Sequence, residues 1–166
     1  MNPIVITKES LPILFRSQLM SDFDNQDLMI IIKSKNHIFG IMDPNYDIIK
    51  PWDKMSSHFY NGSGAYDNIR IDSLSDIDEA HIVMFDYERF ISNTAPKYGS
   101  NNTRVELITN TDTVVFSLPE TPVSDYCWLV ASLKVNDDGD YTLLEERKYI
   151  DMIDIIKEDL LWKSMV

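Results

Sequence analysis

Apolar residues fall mainly in short runs and alternations of period two, the spacing of strands rather than helices. Ile4-Val5-Ile6 is a β-like run, followed by a mixed stretch to Met20. Leu28–Ile32 is apolar for five residues, as in a buried strand. Ile38–Met42 follows a polar turn at Ser34–His37, so the two runs predict a hairpin. Asp43-Pro44-Asn45 is a turn signal, and 43–68 reads as a long loop with short strands anchored by Trp52, Phe59 and Tyr60. Ile69 and Ile71 alternate with Asn68, Arg70 and Asp72. Ser73–Glu79 is polar, with Leu74 and Ile77 plugging a core. His81 opens a strong central strand to Tyr87, and 88–102 is a loop. Thr103–Thr109 and Thr113–Leu118 flank the turn Asn110-Thr111-Asp112 as another hairpin. Asp125–Val135 is the cleanest strand, with Trp128, Val130 and Ser132 on one face and Leu129, Ala131 and Leu133 on the other. Asn136–Asp140 is a tight turn in which Gly139 takes positive φ, and Tyr141–Glu145 returns. From Tyr149 the period becomes helical. Tyr149, Met152, Ile153, Ile156 and Leu160 share one face of an amphipathic helix over 149–165. Seven to nine strands and one helix, with no repeat or linker, predict a mainly β, antiparallel two-layer sandwich. The whole chain, 1–166, is then a single domain, with the sandwich over 1–146 and the helix packed on it.

Composition agrees. At 166 residues one domain is expected, and a domain of this size buries roughly 70% of its unfolded surface. Twenty isoleucines against four alanines lean towards strands. Charge changes the picture more. Lys and Arg total 15 against 27 acids, 19 of them Asp, for a net charge of −12. Such a field repels nucleic acid and anionic membranes and attracts cations and basic partners. No basic block is available to neutralise phosphates. One cysteine, Cys127, excludes an intrachain disulfide and fits a reducing compartment. No apolar run approaches the ~20 residues that span a bilayer. The first twenty residues carry Lys8, Glu9 and Arg16 and lack a signal peptide's regions. A cytoplasmic protein without membrane insertion is the expectation.

Catalytic motifs are missing. Gly62-Ser63-Gly64 lacks the spacing of a nucleophile elbow, and there is no Walker A or dinucleotide fingerprint. His37, His58 and His81 are too far apart for a zinc pair, and His81 reads as a strand-edge residue. Cys127 has no flanking cation to lower its pKa and reads as a buried, inert thiol. Not an enzyme is therefore the expectation. Acid clusters are more informative. Asp22, Asp24 and Asp27 precede the first apolar strand, Asp67 and Asp72 flank Ile69–Ile71, and Asp137, Asp138 and Asp140 crowd the last hairpin. Hard cations such as Ca²⁺ take oxygens from such loops. Aligning Gly139 with the EF-hand glycine puts Lys134 at the first ligand position, so the last cluster is a solvated turn. Three carboxylates within six residues at Asp22–Asp27 repel unless neutralised.

Asp22-Phe23-Asp24 and Asp27-Leu28, running into Ile30-Ile31-Ile32, resemble the acidic approach to the first core strand of the TerD family, the tellurite-resistance and stress-response domain. Phe59-Tyr60-Asn61, then Asp67 leading to Ile69, Ile71, Asp72, Leu74 and Ile77, is similar to its second signature. His81–Phe85 and the runs from Thr103 to Tyr141 resemble its central and closing strands, so the likeness covers roughly residues 20–146. The resemblance implies a β-sandwich that binds Ca²⁺ through Asp24, Asp27 and Asp67. The family's Gly-Asp-Asp-Glu run is here Gly62-Ser63-Gly64-Ala65-Tyr66-Asp67, which keeps only Asp67, so calcium binding is expected to be weakened or lost. The terminal helix is an addition to the family pattern. The function implied is a non-catalytic module making protein–protein contacts in a stress or tellurite-resistance setting. Two alternatives stay open: a small acidic phage-encoded inhibitor or nucleic-acid-mimicking decoy, and a structural subunit of a larger assembly.

Overall fold

The computed structural model describes residues 3–18, 27–34, 39–42, 55–60, 66–74, 77–85, 92–94, 104–116, 118 and 127–149. They form eleven strands: β1 Ile4–Ile6, β2 Ile13–Gln18, β3 Asp27–Ser34, β4 Phe39–Met42, β5 Met55–Tyr60, β6 Tyr66–Ile71, β7 Ile77–Phe85, β8 Arg104–Ile108, β9 Thr113–Phe116, β10 Cys127–Val135 and β11 Tyr141–Tyr149. A one-turn 3-10 helix occupies Lys8–Ser10. A six-stranded sheet has the order β1-β11-β10-β7-β3-β4 and a five-stranded sheet the order β5-β6-β2-β8-β9. Every described ladder is antiparallel. No helix of the described residues is long and apolar enough to cross a membrane.

The predicted mainly β, antiparallel fold is therefore observed. The β3–β4 and β8–β9 hairpins form as expected, and Gly139 takes φ +81° in the β10–β11 turn. That turn is tied by Asn136, whose side-chain oxygen accepts from the Asp138 and Asp140 backbone at 3.0 Å each. One strand exceeds the sequence expectation. β2 lies in the stretch read as mixed, yet it is the middle strand of its sheet. β5 is one of the short strands expected within 43–68, and it carries Phe59 and Tyr60. β7 also starts earlier than expected, at Ile77, which places His81 mid-strand rather than at a strand edge.

The sheets stack around one core drawn from both: Leu28, Ile30, Ile82 and Leu133 from the six-stranded sheet meet Ile13, Phe15, Ile69 and Leu107 from the other. Phe15 is 0% exposed, and burying such a side chain contributes about 1.5–3 kcal/mol. The expected faces of β10 are corrected by a β-bulge. Leu129 pairs with Val83 and Ala131 with the next residue of β7, Ile82, so Val130 is extra. An inserted residue resets the alternation. Trp128, Val130, Ala131 and Leu133 consequently all face the core, whereas Leu129 and Ser132 are buried outside it. β11 adds a residue of its own at this level: Leu129 pairs with Lys148 and Ala131 with Glu145, so Glu146 and Arg147, the latter at φ 50°, lie opposite Val130. It also runs on to Tyr149, past the expected stop at Glu145. The Tyr149 ring meets Trp128 edge-on at 4.7 Å. The helix expected over 149–165 thus begins on a strand residue, and its remainder lies outside the described residues.

Connection lengths fix the ends of the sandwich. The five residues 72–76 reach at most ~18 Å, less than the ~30 Å length of β7, so β6 ends where β7 begins. The 3-10 helix and the 109–112 and 136–140 turns join that end. There the Asn110 side chain donates to the Glu9 carbonyl at 2.9 Å, and the single Tyr141 hydroxyl proton is shared between the Leu74 carbonyl and, at 2.7 Å, that of Ile77. The opposite end carries the starts of β3, β6, β8 and β10.

Candidate functional site

That opposite end is where the sequence places its calcium candidates. Asp27 is the first residue of β3, level with Phe85, which is level with Cys127. Asp67 is the second residue of β6, level with Ser17 and Phe59. The fold thus brings Asp27 and Asp67 to one end of the sandwich, on facing sheets. Asp24 lies outside the described residues, within the eight-residue stretch 19–26 that joins β2 to β3. Three aspartates suit a hard cation in kind, but Ca²⁺ takes six to eight oxygens. The neighbouring positions on β2 and β8 are Gln18 and Arg104, not acids. Among the described residues, no group of three or more His, Cys, Asp or Glu is placed to hold a metal ion. The described donors therefore do not make a full calcium site. Asp137 and Asp138 are exposed in the turn at the other end of the sandwich.

A second cluster went unread in the sequence. On the outer face of the six-stranded sheet, β7 and β10 place His81 level with Ser132. His81 Nδ1 lies 2.8 Å from Ser132 Oγ, and its Nε2 lies 3.1 Å from Glu79 Oε2. A carboxylate only accepts, so Nε2 carries a proton, and in the neutral ring the Ser132 hydroxyl donates to Nδ1. The order Ser–His–carboxylate is that of a hydrolase relay. Ser132 is 0% exposed, however, so its hydroxyl is not presented to a substrate. The bonds tie the buried Ser132 hydroxyl to the partly exposed His81 and Glu79 side chains. The bulge hid this cluster, because strict alternation puts Ser132 on the core face with Trp128. Cys127 is also fully buried, as the sequence implies.

A cleft of about 190 Å³ opens at the other end, between Ile6, Leu11, Leu74 and Tyr141, with Lys8 and Asp140 in its lining. The Glu9 carboxyl beside it is held below its usual pKa, first by its own backbone N–H and then by the Thr7 side chain.

Comparison with known proteins gives a class for this fold. No protein-family model matches the sequence, and no curated protein matches it. Among solved structures, the chain resembles a homologue of the telluride resistance protein TerD from Streptomyces coelicolor A3(2). That match has a TM-score of 0.67 at 13% identity and covers 89% of this chain and 94% of the other. It also resembles a protein of unknown function, with a TM-score of 0.61 at 10% identity, covering 84% and 89%. The chain has a TerD-like β-sandwich fold.

Proposed function

We propose that this chain is a divergent TerD-like, non-catalytic binding module. It acts through protein–protein contact in the cytoplasm, in a stress-response or tellurite-resistance setting, with calcium binding weakened or lost. The observation that carries this reading is the TerD-like architecture over 89% of the chain. The net charge of −12 supports partner recognition over nucleic-acid binding. The burial of Ser132 supports a non-catalytic role. The amphipathic segment 150–165, past the end of β11, is read as a helix packed on the sandwich. The outer face of the six-stranded sheet, which no described element covers, is the surface it suits. A nucleic-acid decoy needs carboxylates in rows at about the 7 Å phosphate spacing. Among the described strands none carries carboxylates at alternate positions, which favours the module.

The test is the native mass of the chain in extracts of its source cell. A species well above 19.3 kDa that contains the chain is expected, and migration only as the free chain overturns the reading. Calcium is tested separately by a thermal melt. A preformed site at a hundred times its Kd adds about 2.7 kcal/mol of stability. The melt is expected to move far less with millimolar Ca²⁺, and a full shift would restore the family's cation role.

A further inference from the structure

The outer face of the five-stranded sheet stands out against the charge of the molecule. Ile13, Phe15, Ile69, Ile71, Val105 and Leu107 point into the core, so the alternate residues of β2, β6 and β8 point out. Those positions hold Arg16, Arg70 and Arg104, three of the five arginines in a chain of net charge −12. Arg70 is level with Leu14, and Arg104 with Gln18. The three therefore step along β2 by two residues and across by one strand each time. From the strand rise and spacing, neighbouring arginines are about 8 Å apart in a diagonal line. Arg70 and Arg104 are exposed. Arg16 is oriented by Nε donating to Asn68 Oδ1 at 3.1 Å, and Arg70 by Nε donating to Asp72 Oδ1 at 2.7 Å. Exposed Val115, 53% accessible, extends the face on β9.

The geometry points to this face as the docking surface for an acidic protein segment, an extended stretch with carboxylates at alternate positions. Guanidinium groups pair with carboxylates through two parallel hydrogen bonds. Alternate residues of an extended chain repeat at about 6.8 Å, close to the step between the arginines. Charge complementarity is local, because exposed charges are screened beyond ~8 Å at physiological salt. A short acidic segment stays within the arginine diagonal, whereas a long polyanion runs on to acidic surface. Glu106, level with Arg16, breaks the diagonal's flank and further disfavours a continuous phosphate track. This inference rests on the protein-contact reading above and names the chemistry of the partner.

The experiment measures binding of a short poly-glutamate peptide and a single-stranded oligonucleotide of equal charge, at low and physiological salt, to the full chain and to R70E/R104E. The peptide should bind the natural chain, more weakly as salt rises, and about tenfold more weakly after reversal. Unchanged thermal melting shows that the variant is folded, and R70Q/R104Q replaces it if it is not. No peptide binding at low salt, or equal binding by a folded variant, overturns the proposal. Tighter binding of the oligonucleotide overturns it in favour of nucleic acid. A high native mass that persists in cells carrying R70E/R104E sinks this surface while the protein-contact reading stands. A free chain in cells sinks that reading itself.

Discussion

The two sheets share a core but differ on their outer faces. On the six-stranded sheet, Val83 is 0% exposed, Leu129 4%, Met29 5% and Ile31 7%, although none belongs to the core between the sheets. On the five-stranded sheet the corresponding positions are polar or exposed: Arg70, Arg104, Thr113 and Val115. An antiparallel sheet can be wet on one face, and its strands then alternate apolar and polar residues. β8 does so, with every second residue buried. β10 does not, being buried from Cys127 through Leu133 without a break. One sheet is therefore built as an inner layer and the other as a boundary with water. Partner recognition belongs on the wet boundary, and structural polar groups such as Ser132 belong on the dry one.

The sharpest way to break this contrast is to put one carboxylate on each face. Val83→Asp places a charge on β7 where no solvent reaches, and an unpaired buried charge costs several kcal/mol. Val115→Asp adds the same group on β9 in water and should change stability by no more than about 0.5 kcal/mol. Urea denaturation of the two variants measures the difference. Equal, small losses would mean that the outer face of the six-stranded sheet is not a dry layer.

Much of this was legible in the sequence, for identifiable reasons. Long apolar runs such as Met29–Ile32 and Leu129–Ala131 announced strands of the six-stranded sheet, and Asn136–Asp140 announced its turn. β2 was not legible because its inward pattern ends on Ser17, a buried hydroxyl that reads as surface. The Glu79–His81–Ser132 cluster was hidden by the bulge at Val130, whose effect no residue type betrays. The arginine diagonal was unreadable for a different reason. Arg16, Arg70 and Arg104 lie far apart in sequence, and only the order β6-β2-β8 makes them neighbours. The acidic candidates were legible as residues, but one of three, Asp24, lies outside the described structure, and register alone brings Asp27 and Asp67 to one end.

A finer contrast compares one polar pair on each face. His81 and Ser132 bond at 2.8 Å with the serine fully buried, while Arg70 and Asp72 bond at 2.7 Å with their side chains 57% and 49% exposed. Distance alone ranks them equal, but solvent does not. Removing the hydroxyl in Ser132→Ala takes a partner from the imidazole where water is scarce, and such losses cost about 1–3 kcal/mol. Removing Arg70 leaves Asp72 in water, and exposed pairs are worth about 0.2–1 kcal/mol. Double-mutant cycles with Ser132→Ala and His81→Ala, and with Arg70→Ala and Asp72→Ala, isolate the two couplings. The first should exceed the second by about 1 kcal/mol. Equal couplings would show that water reaches the serine and would erase the distinction between the faces at the level of single hydrogen bonds.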